Sequence, residues 1–98
     1  MSHKIYRIKS FEIIGPYTLR IEFNDSTYKI INFESILEGE LYGPLKELAF
    51  FNKVKLDLEI KTLVWPNGAD FDPETLRNWA KYESILQKRA KQWAESTI

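Results

Sequence analysis

Apolar and polar positions alternate most regularly where Tyr17, Leu19, Ile21 and Phe23 are separated by Thr18, Arg20 and Glu22. A period of two predicts a strand with one buried face. Ile5 to Ile14 predicts an earlier strand of mixed phase: Tyr6 and Ile8 fall on one face, Phe11 and Ile13 on the other. A β-bulge near Ser10 reconciles the two halves. Gly15-Pro16 supplies the turn between these strands. Asn24-Asp25-Ser26 supplies a second, from which Thr27 to Phe33 returns.

Beyond Glu34 the alternation stops. Ser35 to Gly39 reads as a short helical turn closed by glycine, and Gly43-Pro44 opens another. Val54 to Leu58 and Leu63 to Trp65 predict two short strands around a turn at Glu59 to Lys61. Pro66-Asn67-Gly68 breaks the chain again. Asp72-Pro73-Glu74 then carries three helix-start signals: a capping carboxylate, a proline suited to the first helical position and an acid at the positive helix end. Leu76, Trp79, Glu83, Leu86, Ala90 and Trp93 follow at helical spacing, so one helix is expected over about residues 73–95. Glu83 interrupts its apolar stripe. The fold class expected is α+β, with N-terminal antiparallel hairpins, short helical segments, a second short β pair and a long C-terminal helix. A single domain over residues 1–98 is expected, with its core over about residues 5–80. The predicted core contains Leu19, Ile21, Phe23, Ile30, Leu45, Phe51, Val54, Trp65 and Leu76.

Composition narrows the chemistry. The 98 residues include no cysteine and one histidine, His3. Disulfides, thiolate zinc sites and a cysteine nucleophile are therefore excluded, and His3, expected in a frayed N-terminus, cannot build a triad or a multi-histidine metal site. No cofactor is predicted. A secreted domain of this size would often need staples, so the expected compartment is the cytoplasm. The longest apolar runs fall short of a membrane span, and the first residues do not form a signal peptide. The formal net charge is zero but unevenly placed: +2 over residues 1–33, −5 over 34–76 and +3 over 77–98. An acidic middle beside a basic tail suits a protein partner or self-association better than dedicated nucleic-acid binding.

The most distinctive stretch runs Thr62-Leu63-Val64-Trp65-Pro66-Asn67-Gly68-Ala69-Asp70-Phe71-Asp72-Pro73-Glu74. It resembles the signature of a bacterial family of small domains, domain-of-unknown-function family 2442. The hairpin strand Tyr17 to Phe23, the apolar positions Phe33 and Leu37, and the spaced Gly39, Leu45, Phe51, Val54 and Asp57 agree in order. The resemblance covers roughly residues 11–78. Two departures stand out: Ser26 where the family usually has glycine, and Asn32 where it usually has aspartate. The resemblance implies a small α+β domain and brings no established activity. By analogy with relatives encoded beside other small proteins, it implies membership of a toxin–antitoxin-like pair.

The candidate binding residues are Trp65, Asn67, Asp70 and Trp93. In one reading Trp65 is a stacking anchor, with Asn67, Asp70 and Asp72 as polar contacts. In the other, Trp65 is core, Asn67-Gly68 makes a left-handed turn and Asp72 caps the helix. The second explains more of these residues. Asp70 and Asp72 alternate by two and so share a side in extended chain, but a hard cation needs further oxygen ligands. No nucleophile–base constellation is present, which weighs against an enzyme. Lys81, Lys88, Arg89 and Lys91 read better as a solvated helix face than as a DNA contact. Trp79 and Trp93 stand fourteen residues apart, on nearly one line of the last helix. The leading reading is a non-enzymatic module that binds a protein partner, or a second copy, through the C-terminal helix. The alternatives are a small ligand-binding protein or enzyme using Trp65 to Asp72, and a DNA-binding accessory protein using the basic helix.

Overall fold

The computed structural model describes residues 5–96, so the expectation for His3 lies outside the described residues. Strands β1 (Ile8–Gly15), β2 (Thr18–Phe23) and β3 (Tyr28–Asn32) form an antiparallel sheet in the order β1-β2-β3. Short helical pieces follow: 3-10 turns at Glu34–Ile36 and Gly43–Lys46, α1 (Gly39–Tyr42) and α2 (Leu48–Phe51). Strands β4 (Lys55–Asp57) and β5 (Thr62–Val64) make a separate antiparallel pair, and α3 (Pro73–Arg77) and α4 (Trp79–Ser96) close the chain. This is the α+β arrangement that the changes of period predict. Among the described residues no helix is long and apolar enough to cross a membrane.

The mixed phase of β1 is resolved by a bulge. Ile8 opposes Phe23 and Ser10 opposes Glu22, which leaves Lys9 as the extra residue. The β2–β3 turn places Ser26 at φ +65°, a left-handed conformation that glycine adopts without strain.

Leu19, Ile21, Phe23, Leu45, Phe51, Val54, Trp65 and Leu76 are buried as predicted. Ile30 is not: it is 66% exposed, and Ile31 takes the core place at 1%. The register decides between these adjacent isoleucines. Leu19 and Ile21 point inward and stand opposite Ile31 and Lys29, whereas Ile30 stands opposite Arg20 on the outer face. Phe33, just past β3, is the hub of an aromatic cluster. Its ring centroid lies 5.8 Å from Phe51, 6.2 Å from Trp65, 5.3 Å from Phe71 and 5.2 Å from Trp79. One cluster of buried side chains therefore joins the three-stranded sheet, the β4–β5 pair and the helices.

The expected single C-terminal helix is broken at Asn78, which has φ −110° and ψ 38°. Its backbone N–H still reaches the Glu74 carbonyl at 2.9 Å, and its side-chain amide donates to the same oxygen at 3.2 Å, so the chain turns only after the last bond of α3 is made. Asp72 occupies the N-cap position of α3, and its carbonyl accepts from the Leu76 N–H at 3.1 Å. Its carboxylate makes no capping bond, contrary to the sequence expectation. Glu83 interrupts the apolar stripe of α4 because it accepts from the Trp79 indole N–H at 3.2 Å.

Candidate functional site

The segment from Trp65 to Asp72 folds as a tight loop. The Trp65 N–H donates to the Ala69 carbonyl at 2.9 Å, and the Gly68 N–H to the Trp65 carbonyl at 3.0 Å. Gly68 adopts φ +89° to close it. Trp65 itself is 3% exposed, and its indole N–H donates to the Phe51 carbonyl at 2.8 Å. A ring so enclosed packs the core and offers no face to a ligand. Asn67 also has internal partners on both ends of its amide. Its Oδ1 accepts from the Ala69 N–H at 3.1 Å, and its Nδ2 donates to the Leu41 carbonyl at 2.9 Å, tying the loop to α1.

Asp70 is exposed and bridges to Val64, while its carbonyl accepts the Tyr42 hydroxyl at 2.9 Å. Burial pushes the Tyr42 hydroxyl above the usual tyrosine range, and the nearby Asp70 carboxylate adds to the shift by opposing a second negative charge. The Tyr42 ring stacks on Phe71, 4.9 Å between centroids. Among the described residues no group of three or more acidic or histidine side chains is placed to hold a metal ion.

Trp93 lies elsewhere. The outer half of α4 packs back on the segment of residues 34–42. Gln87 Nε2 donates to Ser35 Oγ at 3.1 Å, and Ala90 is buried at 4%. Trp93 rests against Gly39, which takes φ +90°. Between residues 36–42 and the outer half of α4 runs a groove of about 370 Å³. Ile36, Leu86 and Ala90 line it, while Leu41 and Trp93 remain 42% and 49% exposed. Glu40 and Arg89 bring the two signs of charge to it. The sequence singled out Trp93 but gave no signal for its partner surface, because Gly39 and Leu41 come from a helix of four residues. Of the four candidate residues, Trp65 and Asn67 are held by internal bonds, and Asp70 and Trp93 are accessible at different places.

The model of a family described as a protein of unknown function, DUF2442, matches residues 8–82. It therefore includes the floor of the groove from the 36–42 segment but stops before Leu86, Ala90 and Trp93. No curated protein and no solved structure matches the chain. With more than half of its length matched by that model, the chain belongs to the DUF2442 family of proteins of unknown function.

Proposed function

We propose that this protein is a non-enzymatic protein-binding module, acting in the cytoplasm as one half of a toxin–antitoxin-like pair. The observation that supports it is the groove beside α4, where Leu41 and Trp93 present apolar surface around a buried floor. Exposed apolar patches mark contacts, and tryptophan is a frequent interface anchor. The Trp65-to-Asp72 loop lends the ligand-binding or enzyme reading little support, since Trp65 and Asn67 already serve the fold. The cations Lys81, Lys88, Arg89 and Lys91 are all exposed, as a solvated helix face would be.

The occupant of the groove is an apolar segment of another polypeptide. Affinity capture with the full chain as bait tests this, comparing wild type with Leu41→Asp and Trp93→Ala. The wild type is expected to retain a partner that both variants lose while their circular dichroism stays native. Equal capture by all three overturns the assignment of the groove. Sedimentation of the chain alone separates a second copy from a different protein as occupant. A thermal-shift screen with nucleotides and metabolites addresses the ligand reading, because a true ligand stabilises the fold by mass action.

A further inference from the structure

The two edges of the three-stranded sheet are not equivalent. The ladder register of β2 and β3 runs without interruption from Thr18↔Asn32 to Glu22↔Tyr28. The Phe33 N–H donates to Tyr17 and the Phe23 N–H to Thr27, which fixes the alternation of the bonds. Lys29 and Ile31 bond inward to β2, so the N–H and C=O groups of Tyr28, Ile30 and Asn32 face the open edge. No hydrogen bond among the described residues uses those groups. Tyr28 and Ile30 are 52% and 66% exposed beside them. The β1 edge is guarded by contrast. Its register shifts between Ile8 and Ser10 and again between Ile13 and Gly15, and the Ile8 N–H donates to Lys61. Bulges of this kind protect an edge, and β3 has none.

We infer that β3 takes up a fourth strand: an extended segment of a partner protein with alternating carboxylate and apolar side chains. Strand addition explains the backbone, since three donors and three acceptors stand ready in one row. Charge selects the occupant. On the inner side of this edge Lys29 and Lys81 line a shallow hollow with Arg77, Asn78 and Ala80. Arg77 already faces Asp25 at 3.6 Å, whereas Lys29 and Lys81 form no ion pair among the described residues, Lys81 resting over the Tyr82 ring at 5.3 Å. Carboxylates on alternate residues of the incoming strand would meet these two cations, and the intervening apolar side chains would lie against Tyr28 and Ile30. A second copy fits less well. Antiparallel pairing of β3 with itself about Ile30 sets the two Lys29 side chains on one face at a diagonal spacing of about 7–8 Å, where like charges repel. The inference rests on the protein-binding reading but on another surface, so its failure and that of the groove are separable.

The test is an NMR titration of the full chain with an alternating glutamate–valine peptide long enough to span β3, and with its lysine–valine counterpart. The acidic peptide should shift the amides of Tyr28, Ile30 and Asn32 and slow their hydrogen exchange, with an affinity that falls as salt is added. The lysine peptide should bind several-fold more weakly, and Lys29→Glu should reverse that preference. Ile30→Pro removes a donor that faces solvent and no ladder bond, so the fold should survive while peptide binding is lost. Were the proline variant to unfold, the charge reversal at Lys29 would still decide. Absence of shifts at these amides, or equal binding of both peptides, would overturn the inference. Concentration-dependent protection of the same amides in the chain alone would also overturn it, by making a second copy the occupant.

Discussion

Gly39 and Trp93 are in contact: a Cβ added to Gly39 would stand 3.3 Å from both Cγ and Cδ2 of the indole. Gly39 also sits at φ +90°, where side chains are strained whatever the space. Gly39→Ala is therefore expected to destabilise the chain by about 1–3 kcal/mol and to push Trp93 off the groove floor. Urea denaturation and a red shift in tryptophan emission check the two parts. An unshifted spectrum with unchanged stability would contradict the contact.

The neighbouring isoleucines of β3 should respond in opposite ways. Ile31→Ala is expected to cost about 2–5 kcal/mol through the cavity it leaves in the core. Ile30→Ala lies on the exposed outer face and should change stability by less than about 0.5 kcal/mol. Denaturation midpoints of the pair give a direct test of the strand phase.

Ser26→Gly should stabilise the protein. Serine at φ +65° carries left-handed strain on the order of 1–2 kcal/mol, which glycine relieves. Glycine loses more chain entropy on folding, so the net gain expected from thermal unfolding is about 1 kcal/mol. Loss of the Ser26 side chain removes no hydrogen bond described for it, since its N–H to the Phe23 carbonyl is a backbone bond.

The hydroxyl of Tyr42 should make stability depend on alkaline pH. Its folded-state pKa is raised, chiefly by burial and then by Asp70, so the native chain holds this proton more tightly than the unfolded chain. The contribution is fully present below the ordinary tyrosine value of about 10 and is lost as pH rises from there through the folded-state value. Tyr42→Phe keeps the stack on Phe71 and abolishes this component of the pH dependence. It also gives up the bond to the Asp70 carbonyl, at about 0.5–1.5 kcal/mol near neutrality. Stability measured from pH 8 to 11 in both proteins checks the sign.

Asp72→Ala should be nearly silent, within about 0.5 kcal/mol, because the carboxylate makes no capping bond. A loss of about 1 kcal/mol that serine restores would show a side-chain cap in solution.

What the chain determined unaided was local. Alternation in Tyr17 to Phe23 requires a half-buried strand wherever that strand goes, and the unmatched phases of Tyr6-Ile8 and Phe11-Ile13 require a bulge between them. Pro73 and the apolar spacing after it likewise announce helix. What depended on long-range pairing stayed open. Ile30 and Ile31 are chemically identical neighbours, and only the register against Leu19 and Ile21 separates core from surface. The break at Asn78 is a change of backbone dihedrals, to φ −110° and ψ 38°, inside a periodicity that continues unbroken through it. The role of the candidate loop turned on burial: turn and capping chemistry already favoured Trp65 as core over a stacking anchor, and its 3% exposure and the indole N–H bond to the Phe51 carbonyl put it there. The groove was least legible of all. Gly39 and Trp93 lie far apart in sequence, and each makes sense only once α4 folds back on the 34–42 segment. Periodicity records which face of an element is apolar. Only the packed chain decides what that face meets, because burial is a property of pairs of elements and not of either alone.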